Sequence, residues 1–504
     1  MKKLYGLGAA LAAGLWSISA LTAAAAPAPT AKQGPADFVY SCTPQAQQLV
    51  RQAWEMMYQG HGAESLAPLR EAVKTDPACV AAKYLLGAWG EGAEAKRMAA
   101  EAFAAVNQLP EAERTLLEAV EAARQGDAAS ETARIKKLTE LQPGNWLAHL
   151  MLSFNASYHQ QRELALAEAK KAAELNPTSG AAWNVLGYAY VNLQRTDDAI
   201  AAFKKYAAVA PSEPNAHDSL GDALLEANKI DEAEAAYRKA IEVSAGKFYL
   251  SWSGVAVVRC LKTDWKGCRD ALAKQKAGET MVGAKAAIDE NVAWSYVAQG
   301  KAKEALKTLD SAAKEYRKAK SDAAATAILA SRAWVLYIVG RHPEAIRAAD
   351  AADKGDVSTM PEGNQRATRI GTAVVRAMAL ARSGKPDAAE QALTAVDTDV
   401  EKTAADVYLQ ALVAMARGEI ALAKKDVAAA VKQFAICPET SVNCRLQLAL
   451  AQDKAGDKEA AKATREALLT HPRRWIFYVW VRNQIDSKKV TKQATAASAK
   501  PKAK

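Results

Sequence analysis

Pro177-Thr-Ser-Gly-Ala-Ala-Trp183-Asn-Val-Leu186-Gly187-Tyr-Ala-Tyr190 runs on through Ala199 and Phe203 to Pro211. Pro177 and Pro211 stand 34 residues apart, and Pro143 lies another 34 before them. An interval of that length suits a unit of two short helices and their turns. Gly187 and Ala199 are small, which predicts two antiparallel helices crossing with their backbones close. Trp183, Leu186, Tyr190 and Phe203 then fill the seams to neighbouring helices. Pro211 ends the second helix and opens the next unit. One such hairpin cannot bury its apolar face alone, so the units must stack.

These positions, Trp183-x-x-Leu186-Gly187-x-x-Tyr190 with Ala199, Phe203 and Pro211, resemble the tetratricopeptide repeat (TPR) at every signature position of the unit. The next unit keeps Leu220, Gly221, Ala233, Tyr237 and Ala240 at the same offsets. It departs at His217, where Trp is usual, and at Ala245, where Pro is usual. The resemblance implies an all-α, right-handed superhelical solenoid of stacked antiparallel helix pairs. Clear and degenerate units together come to roughly 11 to 13 repeats.

The chain has 504 residues, half of them hydrophobic, with little Gly or Pro outside turns, as an Ala-rich helical protein with a thin continuous core requires. Lys2 and Lys3 precede an apolar run from Leu4 to about Leu21 and the small residues Ala23 to Ala26. Residues 1–26 therefore read as a signal peptide, cleaved near Ala24 to Ala26. Six cysteines follow, in keeping with an oxidising compartment. Sequence proximity favours Cys260 with Cys268 and Cys437 with Cys444, leaving Cys42 with Cys79. Spacings of eight and seven do not suit paired Cys-x-x-Cys zinc ligands.

Of the formal charge of +10, Lys2 and Lys3 belong to the leader, and Lys488, Lys489, Lys492, Lys500, Lys502 and Lys504 to the tail. That leaves +2 for the body. A body so nearly neutral lacks the basic stripe of a nucleic-acid binder.

Residues 27–42 are expected to be a flexible linker, 43–352 the N-terminal and central repeats, 353–364 a hinge loop, 365–486 the remaining repeats and a cap, and 487–504 a disordered Lys-rich tail. Later hairpins are announced by Gly300 with Ala305, Gly340 with Ala345, Gly384 with Ala389, Arg417-Gly418 with Phe434, and Gly456 with Ala461. Trp475-Ile-Phe-Tyr-Val-Trp-Val481 is expected to cap the last repeat.

No catalytic motif appears. His61, His149, His159, His217, His342 and His471 are scattered, and no nucleophile elbow, P-loop or metalloprotease pattern is present. Neither an enzymatic activity nor a cofactor or metal is expected. In the TPR family the concave wall is lined by the second, fifth, ninth, twelfth, thirteenth and sixteenth residues of each unit. The resemblance thus nominates Asn184, Tyr188, Asn192 and Arg195 in one unit and Asp218, Asp222, Glu226 and Lys229 in the next as partner-binding residues. The three acids share one helix face. The chaperone-tail clamp of some TPR proteins needs a cation and an amide where Asp218 and Asp222 stand, so capture of an acidic tail is not expected.

The expectation is a periplasmic, non-catalytic scaffold or adaptor binding a protein segment, in envelope complex assembly or secretion by analogy with exported TPR proteins. An alternative is a glycan- or polymer-binding protein stacking sugars on Trp146, Trp183, Trp252 and Trp294. An enzyme with an unrecognised site is the remaining one.

Overall fold

The computed structural model describes residues 38–402, 406–470 and 475–486. The expected signal peptide and Lys-rich tail lie outside the described residues. Within the described residues the chain forms 26 α-helices and no strand. Setting aside the short Asp397–Glu401 and the terminal Ile476–Asp486 helices leaves twelve consecutive pairs, within the expected number of repeats. The chain divides into two compact units. The first is built from residues up to Leu224 together with Ala235–Phe248, the second from Leu225–Glu234 and the residues from Tyr249 onward.

In the first unit the quoted stretch forms the helices Gly180–Asn192 and Thr196–Val209. Ser179 caps the first by accepting the Ala182 amide at 3.1 Å. Gln194 takes a left-handed conformation (φ 58°), and the Arg195 amide donates back to the Tyr190 carbonyl at 2.9 Å, which reverses the chain. A Cβ on Gly187 would lie 2.3 Å from Cε1 of Phe203, so only glycine lets the two helices approach this closely. Trp183 Nε1 donates to the Pro177 carbonyl at 2.9 Å. His217 Nε2 does the same to Pro211 at 3.0 Å, and His149 Nε2 to Pro143 at 2.9 Å. Each of the three regularly spaced prolines is thus tied to an aromatic N–H six residues on.

Residues 38–42 are not part of a flexible linker. Phe38 and Tyr40 are 2 % and 1 % exposed, and both the amide and the hydroxyl of Ser41 donate to Glu113, at 2.9 and 2.6 Å. Two aromatic side chains in core positions and a disulfide at Cys42 hold this segment. The first helix, Pro44–Tyr58, also reaches across to the Gly180–Asn192 helix. Glu55 accepts from Ser179 Oγ at 2.7 Å and from the Ala181 amide at 2.8 Å, and Asn184 Nδ2 donates to the Tyr58 carbonyl at 3.0 Å. Burial raises the Glu55 pKa even though the Ala181 amide and the Ser179 hydroxyl favour the carboxylate.

The second unit reuses the same devices. Gly418 lies inside the helix Val407–Ala423, where a Cβ would meet Phe434 Cε1 at 2.4 Å. It is the counterpart of Gly187, paired with Phe434 as the sequence reading had it. The turn falls at Lys425 (φ 64°). The segment 353–364 joins the helices His342–Asp353 and Glu362–Arg382 within this unit. The Tyr337 hydroxyl and Arg382 Nε both bind the buried Glu419, at 3.0 and 2.7 Å. The Glu419 and Arg382 charges are paired, which is what burial of ions demands.

The terminal helix Ile476–Asp486 does more than cap the last hairpin. Tyr478 Oη donates to the Leu468 carbonyl at 3.0 Å, but Phe477 packs edge-on against Trp294 at 4.7 Å and Asn483 Nδ2 donates to the Ala298 carbonyl at 3.0 Å. This helix therefore joins the last hairpin to the helix Val282–Ala298. Its amphipathic aromatics cover two apolar surfaces at once.

The three cysteine pairs expected from proximity are the three disulfides: Cys42–Cys79, Cys260–Cys268 and Cys437–Cys444. Cys260–Cys268 links the helices Ser251–Leu261 and Trp265–Gly278 of one hairpin. Among the described residues no helix is long and apolar enough to cross a membrane.

Candidate functional site

The eight nominated wall residues divide by their place in the repeat. The fifth-position residues are interior: Asn184 is 6 % and Asp218 1 % exposed. Asn184 is engaged by Tyr58, while Tyr188 and Asp222, at the ninth position, are half-buried. Tyr188 Oη lies 3.0 Å from Ser219 Oγ and its ring packs edge-on to Phe203 at 5.1 Å. Asp222 accepts a 2.7 Å hydrogen bond from Tyr237 Oη. Asn192, at the thirteenth position, is partly open, and Arg195 is exposed and turned back on its own hairpin. The Arg195 guanidinium binds Asp198 at 2.7 Å and covers the Tyr190 ring at 4.9 Å. Glu226 is half-buried and Lys229 exposed, and both belong to the second unit.

Asp218, Asp222 and Glu226 therefore do not form one continuous acidic surface. A helix turns about 100° per residue, so eight residues drift by about 80°, and the first acid of the series points into the stack.

The wall carries residues that the motif did not nominate. One repeat before Tyr188 and Asn192 stand Phe154 and Tyr158, on the helix Trp146–Tyr158. They are 56 % and 41 % exposed, large apolar surface to leave in water four residues apart on one helix. The Tyr58 ring packs edge-on to Phe154 at 5.6 Å, and the Tyr158 ring lies 5.0 Å from that of His159. Glu131, in the first turn of the helix Ala128–Leu141, is close enough to raise the phenol pKa values of both Tyr58 and Tyr158, on top of the larger effect of their burial. Burial raises the Glu131 pKa itself. Projecting the best-matched unit back by one 34-residue step reaches Phe154 and Tyr158. Glu131 lies on a second helix and had no such signal.

The remaining candidates are structural. Trp146 and Trp294 are buried, while Trp183 and Trp252 are half-buried, with Lys274 lying over the Trp252 ring at 4.2 Å. They do not form a row of open stacking platforms. His61 and Glu213 pair at 2.8 Å, and His149 spans Glu168 and the Pro143 carbonyl at 2.6 and 2.9 Å. Among the described residues no group of three or more His, Cys, Asp or Glu could hold a metal ion.

Family models described as tetratricopeptide repeat match residues 155–214, 184–248, 374–439 and 291–319. No curated protein sequence matches significantly. Among solved structures, the chain is similar to MamA, at 23 % identity and a TM-score of 0.30, over 32 % of this chain and 95 % of that one. It is similar to PilW, a type IV pilus biogenesis factor, at 19 % identity and a TM-score of 0.35, over 40 % and 91 %. A tetratricopeptide repeat protein from Parabacteroides merdae aligns at 14 % identity and a TM-score of 0.32, over 71 % and 98 %. With the repeat signature, the helix pairs and the family matches in agreement, the chain carries tetratricopeptide repeats.

Proposed function

We propose that this protein is a non-catalytic periplasmic adaptor that holds an extended segment of a partner protein on the first-helix wall of its first unit. The observation that carries the reading is the exposed pair Phe154 and Tyr158, in repeat register with Tyr188 and Asn192. An exposed aromatic pair on a rigid helix is the usual anchor of a protein contact, because aromatic side chains bury much area at little entropic cost. Tyr188, Asn192 and Asp222 continue the track with polar groups that fix the register of the bound segment. Glu226 and Lys229 extend the same positions along the sequence. Export is supported by the Lys-Lys and apolar pattern of residues 1–26 and by three disulfides, which fit an oxidising compartment.

Affinity capture from an envelope extract tests the reading, comparing the mature protein with a Phe154→Ala/Tyr158→Ala variant. The expected result is a specific protein recovered by the parent and lost by the variant, whose helical content is unchanged because both side chains are exposed. Equal recovery by both forms would remove this wall from the account. Mass measurement of the mature chain checks cleavage near Ala24 to Ala26.

A further inference from the structure

A helix that only closes the end of a stack buries one face and shows water the other. The terminal helix Ile476–Asp486 does not divide in that way. Ile476, Tyr478, Val479 and Val481 are buried, Phe477, Trp480 and residues 482–485 are half-buried, and none of them is exposed. Two rows of side chains account for this. Tyr478 and Val481 join Val442, Leu446 and Leu468 in one apolar cluster, and Tyr478 Oη donates to the Leu468 carbonyl, so this row caps the hairpin of Val442–Ala455 and Lys458–Thr470. Phe477, Trp480 and Asn483 form the other row, three residues apart along one side of the helix.

That second row serves hairpins far back in the sequence, which capping does not call for. Phe477 meets the Trp294 ring edge-on at 4.7 Å and stacks with Trp480 at 5.3 Å. Trp294 is fixed in turn by Glu290, which accepts from its Nε1 at 3.2 Å. Leu261, the last residue of the helix Ser251–Leu261, packs against the same rings and their cluster. Asn483 completes a helix end. The last four carbonyls of Val282–Ala298 have no partner inside that helix. Those of Ser295, Tyr296 and Val297 receive the amides of Gln299, Lys301 and Gly300, and that of Ala298 receives Asn483 Nδ2 at 3.0 Å. Ser251–Leu261 and Val282–Ala298 are both first helices of their hairpins, so the row lies on first-helix surface.

We propose that this surface, with Leu261, Trp294 and the Ala298 carbonyl, is a binding site for an amphipathic helix carrying two rings and an amide at successive third positions, held in this structure by the chain's own terminal helix. Its occupant in trans is a partner helix with the same row, which enters by displacing Phe477, Trp480 and Asn483. The resident contacts define what the site selects. The first ring must reach Trp294, and the third position must donate, because a carbonyl oxygen only accepts and a carboxylate there would face it with a second acceptor. The site lies in the second unit and does not depend on the wall at Phe154.

Fluorescence anisotropy tests this with a labelled peptide of residues 475–492 added to the full mature chain. A tethered resident helix stands at an effective concentration on the order of millimolar, so the parent should bind the peptide weakly. Phe477→Ala/Trp480→Ala, folded by circular dichroism, should bind it at least about tenfold more tightly, and Asn483→Ala about threefold to fivefold more tightly. If the double variant loses helical content, Asn483→Ala alone decides, since it removes a single hydrogen bond. Adding Trp294→Ala to either variant should abolish the gain, and a peptide carrying Asn483→Asp should not show it. A peptide that binds the folded variants no better than the parent would overturn the proposal and make the terminal helix a fixed part of the core. A gain that survives Trp294→Ala, or that the Asn483→Asp peptide shares, would overturn it by placing the peptide elsewhere. Light scattering should find the parent monomeric. A dimer that dissociates in Phe477→Ala/Trp480→Ala would overturn the assignment to a partner and make the terminal helix of a second copy the occupant.

Discussion

His217 stands where the repeat pattern calls for tryptophan, and its geometry explains the exchange. A backbone carbonyl oxygen can only accept, so His217 Nε2 must carry the proton it gives to Pro211, reproducing the bond from Trp183 to Pro177. His217→Ala should cost about 1 kcal/mol of unfolding free energy, the net value of one such bond, while His217→Trp should be tolerated. Thermal or urea unfolding of the two variants checks both. His61 carries a pH dependence. Burial disfavours its charge, but Glu213 at 2.8 Å, with help from Glu64, outweighs burial and raises its pKa. A raised folded-state pKa means that the pair contributes its full stability below the unfolded value, about 6.5, and loses it as pH rises through the folded value. The destabilisation caused by His61→Gln should therefore be larger at pH 6 than at pH 8.5, as read from melting temperatures at the two pH values.

The hairpin was the most legible feature in the sequence, because its constraints are local. Small residues opposite large ones, proline at a fixed interval and glycine at a turn follow from contacts a few residues apart. Gly187 with Phe203 and Gly221 with Tyr237 are spaced sixteen residues apart for that reason, and Gly418 with Phe434 repeats the spacing. A glycine for close packing and one for a turn look alike in sequence, and here the turn went to Lys425. The two kinds should respond differently to substitution. Gly187→Ala should cost about 1 to 3 kcal/mol, since the new methyl strikes the Phe203 ring. Gly300→Ala, at φ 81° with open space around it, should cost about 1 kcal/mol from the left-handed backbone alone. Chemical denaturation of both variants separates the two costs. A relief of the Gly187→Ala defect by Phe203→Leu, without relief at Gly300, would identify the steric one.

At the scale of the whole molecule, legibility falls with sequence separation. The disulfides were readable because two of the three close loops of eight and seven residues. The bond from Ser179 to Glu55 joins positions 124 apart, and the contact of Asn483 with Ala298 spans 185, so no periodicity announces them. Those long-range contacts are why Asn184 is interior although its repeat position is a wall position. The candidate site was half legible for the same reason: Phe154 and Tyr158 lie one repeat before nominated residues, whereas Tyr58, which packs on Phe154, comes from 96 residues earlier. The account's central claim is that the first-helix wall at Phe154 receives a partner segment. The most direct measurement is photo-crosslinking in the living cell, with benzoylphenylalanine placed at Phe154 or, as a control, at Phe103. Phe103 is more open, at 69 % exposure, but lies on a second helix, Gly92–Ala105. The account predicts a discrete adduct with one protein from position 154, weakened by Tyr158→Ala, and none from position 103. An adduct from position 103 alone, or no adduct from position 154, would contradict it.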